Sequence, residues 1–165
     1  MRALRNIPRR GSHLPVLMTL VQQTTGPILE LGAGVYSTTY LHWACYHTKR
    51  RLVTYEDNPQ FHSWTRQFAS DYHEVRCIRS WDELDPSGPW AIAFVDHGQE
   101  GHRYRDIARL THAEYVVAHD AENGNNHRYH YHRIYRLFRS RFKYGLASPH
   151  TAVFSNLHDV SALMP

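Results

Sequence analysis

Short continuous apolar runs alternate with amphipathic stretches along the chain, and that alternation predicts its elements. Leu14, Leu17, Met18 and Val21 fall at helical spacing, so His13–Thr24 reads as a first helix with Pro15 in its first turn. Gly26-Pro27 ends it, and Ile28–Leu31 follows as a short buried strand. A second helix, Tyr36–Thr48, carries Tyr40, Leu41, Ala44 and Cys45 on one stripe, and Lys49-Arg50-Arg51 suits its negative C-terminal end. Leu52–Tyr55 is the second strand. Asn58-Pro59 starts a third helix as N-cap and first helical residue, with Phe61, Trp64 and Phe68 as its expected inward face. Glu74–Ile78 is a third strand, and Ser80–Leu84 a loop or single helical turn before the break at Pro86–Pro89. Trp90–Val95 is almost wholly apolar, as a central parallel strand should be.

Tyr104, Ile107, Ala108 and Leu110 mark the next helix, and Ala113–Ala118 a fifth strand. Beyond the Asn123–Asn126 loop, Tyr131, Ile134, Tyr135 and Phe138 form an apolar stripe, predicting a helix whose other face carries arginines. Phe142–Leu146 and Thr151–Ser155 read as a hairpin-like pair of strands. The sum is a first helix, five βα repeats and two closing strands. That order predicts an α/β, doubly wound, mostly parallel seven-stranded sheet with helices on both faces.

The 165 residues suit one domain, at 13–165, behind a flexible basic arm at 1–12. Hydrophobic residues at 42% and charged residues at 21% exclude a disordered chain. No run of about 18 apolar residues predicts a membrane span. No apolar segment follows the basic N terminus, so a cytoplasmic protein is expected. Cys45 and Cys77 sit in apolar surroundings and read as reduced core residues. Of the net charge of +4, Arg2, Arg5, Arg9 and Arg10 supply all, leaving the remainder neutral. A second basic stretch spans Arg128, Arg133, Arg136, Arg139, Arg141 and Lys143. Either cluster could draw in RNA phosphates. A solvated surface is the simpler account of both.

The chemistry concentrates at the strand ends. Glu30-Leu31-Gly32-Ala33-Gly34 runs a strand into a glycine turn, which lets the backbone come close to a ligand. Tyr36, Ser37 and Thr38 open the next helix and turn its free N–H groups to the same spot. Glu56 or Asp57 ends the following strand, where a carboxylate can accept hydrogen bonds from both ribose hydroxyls. Asp96-His97 and His119-Asp120 end the fourth and fifth strands, and open α/β sheets bind ligands beyond these ends. His97 and His119 are candidate bases, with Asp96 or Asp120 to orient one of them. His127, His130 and His132 lack partner cysteines and the right helical faces, which argues against zinc.

Glu30-Leu31-Gly32-Ala33-Gly34, then Glu56, Asp96 and Asp120 in that order, resembles the class I S-adenosylmethionine-dependent methyltransferases. Phe94-Val95-Asp96-His97 is similar to the fourth-strand motif of the catechol-type small-molecule O-methyltransferases. The resemblance covers about residues 13–160 and implies an antiparallel last strand. It implies S-adenosylmethionine as cofactor, with S-adenosylhomocysteine as product. Glu30 would face the methionine ammonium, and Gly32, Ala33 and Gly34 would wrap the methionine and ribose. Glu56 would hold the ribose hydroxyls, Ser80 and Trp81 would flank the adenine, and Asp96 would sit near methionine and acceptor. Gly32→Val is then expected to abolish cofactor binding in a chain that still folds.

The catechol-type enzymes carry an Asp-Asn pair at the fifth strand for magnesium, where this chain has His119-Asp120-Ala121. Asp96 and Asp120 could still offer oxygens to a divalent ion, but the set is incomplete and no metal is expected. The Asn/Asp-Pro-Pro-aromatic motif of amino-methylating nucleic-acid enzymes is absent. The expected activity is methylation at oxygen of a small-molecule or carbohydrate-like acceptor. The alternative is a methyltransferase-like nucleotide- or RNA-binding module, or an RNA methyltransferase, using the basic arm and the arginines. Nicotinamide-dependent oxidoreduction is weaker, because Ser37 stands where its fingerprint wants a third glycine.

Overall fold

The computed structural model describes residues 11–164. Its elements are α1 (Leu14–Gln23), β1 (Ile28–Leu31), α2 (Ser37–Thr48), β2 (Leu52–Glu56), α3 (Pro59–Thr65), β3 (His73–Cys77), β4 (Ile92–Val95), α4 (Arg103–Arg109), β5 (Tyr115–His119), α5 (Asn126–Tyr129), β6 (Ser140–Tyr144) and β7 (Thr151–Ser155). The strands make one sheet in the order β3-β2-β1-β4-β5-β7-β6. All run parallel except β7, which is antiparallel to both β5 and β6. The chain reverses its direction of travel across the sheet at β1, which lies between β2 and β4. A crevice opens beyond the strand ends there, where ligands of such sheets bind.

Strand parity sorts the core into two buried clusters. Leu29, Leu31, Val95 and Ala118 pack with Ile107 and Leu110 around α4. Ile28, Phe94 and Val117 pack with Leu17 and Leu20 of α1 and Leu41 and Cys45 of α2. Glu30 and Thr54 pair in register and share the second face with Phe94. Asn58 caps α3 as its sequence predicts, accepting from the Gln60 and Phe61 amides at 2.9 and 3.3 Å. Arg50 does not cap its own helix. Its guanidinium is buried against the end of α1, on the carbonyls of Val21 and Thr24.

Four expectations are corrected. Phe61 does not face inward; it is 46% exposed, and Thr65 is the buried residue of α3. Cys77 is exposed, because it closes the edge strand β3, whereas Cys45 is buried. No continuous helix carries Tyr131–Phe138. The backbone turns left-handed at His130 (φ 53°) and continues as two single 3₁₀ turns, Tyr131–Arg133 and Tyr135–Leu137. Tyr131, Ile134 and Phe138 are still buried, so the stripe is core while the helix is not formed. Aromatic and histidine residues are weak helix formers, and anchoring of the tyrosines to the site overrides the periodicity. The arginines consequently share no helical face: Arg141 and Lys143 lie on β6, and Arg128 pairs with Glu100 at 2.7 Å. Residues 1–10 of the expected arm lie outside the described residues, while Ser12 at its end is fully buried. No helix among the described residues is long and apolar enough to cross a membrane.

Candidate active site

The glycine turn forms because the β1 and β4 ends come within contact of each other. Gly32 has φ +92°, and a Cβ there would lie 2.6 Å from the His97 amide nitrogen. Both the conformation and the space require glycine. Gly32→Val would therefore strain the fold itself, and the expectation that such a chain folds normally is withdrawn. Gly34 is less constrained, since its Cβ would meet only the Ser37 hydroxyl, at 2.9 Å.

Glu56 latches this turn. Its carboxylate accepts from the Ala33 amide at 2.7 Å and the Asn58 amide at 2.7 Å. Burial pushes its pKa above the usual value, against those two hydrogen bonds. Gln99 donates to Asp57 across the same opening at 3.1 Å. Together Gly32, Ala33, Glu56, Asp57, Asp96 and Gln99 line most of a cavity of about 570 Å³. A second cavity of about 540 Å³ adjoins it, lined by residues including His13, Gly34, Tyr36, Ser37, His119 and Asp120. Ala33, Phe61 and Asp96 face both cavities. At the start of α2 no side chain caps the helix, and the Thr38 and Tyr40 amides are taken by the Gly34 and Tyr36 carbonyls.

Glu30 lines neither cavity. It is fully buried behind the turn, accepting from Thr38 Oγ1 at 2.9 Å and Thr54 Oγ1 at 2.7 Å, with Oε1 unpartnered. Thr38 in turn accepts from the Gly34 amide at 2.9 Å, so Glu30 steadies the glycine turn from below. Burial raises the Glu30 pKa to about 7. Ser80 caps the turn at Trp81–Glu83, accepting from the Asp82 amide. Trp81 is buried and stacked on His97 at a ring separation of 3.9 Å, and His97 also lines the first cavity. The His97 imidazole pairs with Asp106 at 3.0 Å, and burial lowers its pKa.

The strand ends of β4 and β5 meet around Arg103, which sequence reasoning missed. Arg103 is 2% exposed and reaches Asp96 and Asp120 at 3.2 Å each, the His119 carbonyl at 3.1 Å and the Tyr131 hydroxyl at 3.1 Å. It also lies 3.9 Å over the Tyr129 ring. Asp120 sits at φ +54°, turning its carboxylate toward this hub. Burial by itself would raise the Asp96 pKa. The His119 hydrogen bond and the Arg103 charge outweigh it, and the net shift is downward. His119 shows the converse: burial would lower its pKa, and the bond to Asp96 at 3.2 Å raises it. Tyr131 donates to the His119 carbonyl at 2.7 Å.

On the far side of His119, Nε2 lies 2.9 Å from the Ser12 hydroxyl, which donates to the Pro149 carbonyl at 2.6 Å. His13 stands beside His119, ring to ring at 4.7 Å. Sequence reading missed Ser12 and His13 because they sat at the edge of an expected flexible arm. His127, His130 and His132 do not assemble into a donor set among the described residues.

No family model matches this sequence, and no curated protein matches it. Its structure is similar to several solved ones. The cofactor-bound protein Rv0187 from MTB is 17% identical, with a TM-score of 0.64 over 94% of this chain and 84% of that one. The O-methyltransferase from Bacillus cereus, solved in complex with SAH, is 16% identical, with a TM-score of 0.60 over 93% and 83%. The fold is that of the class I S-adenosylmethionine-dependent methyltransferases. Spermidine synthase from Thermotoga maritima also shares it, at 10% identity and a TM-score of 0.60 over 89% of this chain and 58% of that one. This methyltransferase fold therefore positions the two cavities, and the chemistry has to be argued from their residues.

Proposed function

We propose that this chain is an S-adenosylmethionine-dependent methyltransferase acting at oxygen of a small-molecule or carbohydrate-like acceptor. The observation that carries the reading is the pair of adjoining cavities that meet at Asp96, one floored by the glycine turn and rimmed by Glu56. The two buried clusters support a doubly wound sheet with helices on both faces, the frame such a site needs. The residues fit the cofactor: the turn has no side chain in the way at Gly32, and Glu56 faces the cavity where a ribose would lie. The positive end of the α2 dipole suits a carboxylate.

When bound, the cofactor supplies an already activated methyl group on its sulfonium. The chain's work is then to align acceptor and methyl in line and to exclude water. A hydroxyl acceptor must also give up its proton. His119, held by Asp96 and opening on the second cavity, is the side chain placed to take it. His97, engaged with Asp106 and Trp81, is not. The magnesium reading of Asp96 and Asp120 is disfavoured by Arg103, which already places a cation between them. The RNA alternative loses its helical arginine face.

The test is thermal unfolding with S-adenosylmethionine, S-adenosylhomocysteine and NAD in parallel. A ligand at 100 times its dissociation constant adds about 2.7 kcal/mol, which moves the midpoint by several degrees. A shift with the two sulfur cofactors alone is expected. A shift with NAD alone, or none with either sulfur cofactor, would overturn the reading.

A further inference from the structure

We infer that His13, Asp96 and His119 form a binding site for one divalent transition-metal ion at the floor of the second cavity. Each offers one donor atom, and the three atoms lie within 4.8 Å of one another. His119 Nδ1 and Asp96 Oδ1 are 3.2 Å apart. Two donors held about 2.0–2.1 Å from a tetrahedral ion stand about 3.3 Å apart. The His119–Asp96 spacing already fits such an ion, and the His13 donor, within 4.8 Å of both, would have to draw in.

His13 supplies the independent observation. It is 4% exposed, it lines the second cavity, and neither ring nitrogen has a hydrogen-bond partner. Burying an imidazole with both nitrogens unpaired is unfavourable unless something meets them. Its ring packs on Phe94 at 4.9 Å and on His119 at 4.7 Å, so it is fixed in place rather than free to reach solvent.

The surroundings are those of a ligand set. Because the Ser12 hydroxyl donates to the Pro149 carbonyl, its oxygen accepts from His119 Nε2. That relay fixes a proton on Nε2, so an ion on Nδ1 would take the place of the proton that Nδ1 now shares with Asp96, with the outer hydrogen bond orienting the ring as in metal-bound histidines. Arg103 holds Asp96 through the same Oδ1, at 3.2 Å. Asp96 and Asp120 against Arg103 leave one negative charge for a cation to meet. Two imidazoles and one carboxylate favour Zn²⁺, Co²⁺, Ni²⁺ or Fe²⁺ over Mg²⁺. The adjoining cavity leaves further positions open to an acceptor oxygen, whose proton such an ion would acidify; with the ion bound, His119 is a ligand and that acidification replaces its role as base. Only that last role rests on the methyltransferase reading; the binding site does not.

The experiment strips the full-length protein with a chelator, then titrates it with Zn²⁺ by calorimetry and with Co²⁺ by visible absorption. One ion per chain is expected, with no heat from Mg²⁺. His13→Ala and His119→Ala should each weaken binding at least about tenfold, while His132→Ala should leave it unchanged. His13→Gln provides a gentler variant should His13→Ala fail to fold, with circular dichroism as the check on each. Absence of stoichiometric binding by the folded chain would overturn the inference. So would binding that the His13 and His119 variants leave intact, which would place the ion on surface histidines. S-adenosylhomocysteine titrated into the stripped protein separates the two readings. Binding of that ligand with no uptake of Zn²⁺ or Co²⁺ sinks the metal site alone; uptake of metal with no binding of that ligand sinks the methyltransferase reading alone.

Discussion

Two carboxylates lie near the ends of neighbouring parallel strands, Glu30 on β1 and Asp96 just beyond β4, and the fold shifts them in opposite directions. Glu30 is sealed under α2 among hydroxyls, those of Thr38 and Thr54 bonded to it, with no cation beside it among the described residues, and burial raises its pKa to about 7. Asp96 faces two cavities and has Arg103 and His119 beside it, and its pKa falls. Hydroxyls can satisfy a buried carboxyl without neutralising it; a guanidinium and an imidazole do both. Glu30 therefore acts as a structural brace that tolerates a proton. Asp96 is held as an anion where a ligand can meet it.

Arg103→Met would break that contrast most sharply. It leaves Asp96 and Asp120 without their buried cation, and the loss should be about 3–5 kcal/mol, read by urea denaturation at neutral pH. A loss below about 1 kcal/mol would mean that the pairing is as weak as an exposed one and that His119 alone holds Asp96.

Glu30→Gln sharpens the other side. The folded pKa of Glu30 lies above its unfolded value, so the folded chain holds the proton longer. Its contribution to stability is full below about pH 4.5 and is lost as pH rises toward 7, about 3 kcal/mol in all. Relative to the variant, the natural chain should lose stability between about pH 4.5 and 7. Parallel stability profiles for the two chains across that range would show that Glu30 ionises normally.

The same two regions differ in how far the sequence reveals them. The turn at Gly32–Gly34, the Asn58 cap and the strand order rest on local chemistry: a positive φ, a short acceptor side chain, a run of apolar residues. Glu56 could be found because it ends the strand after the turn. The Arg103 hub rests on convergence. Arg103 opens a short helix, Tyr131 follows a left-handed break, and Ser12 and His13 come from the chain's other end. No spacing in the sequence marks any of them as neighbours. Trp81 and His97 could be placed near the rim, but their stacking on each other depends on packing that periodicity does not encode. The Tyr131–Phe138 stripe shows the limit most plainly, since its apolar positions were legible and its backbone was not.

The most direct test of the account is calorimetric titration of S-adenosylhomocysteine into the natural chain and into Glu56→Ala. The account predicts binding of one molecule per chain, weakened at least about tenfold in the variant, a loss equivalent to about 1.4 kcal/mol. Equal affinity in both folded chains would contradict it, because Glu56 would then not face the ribose. Absence of binding to the natural chain would remove the cofactor altogether.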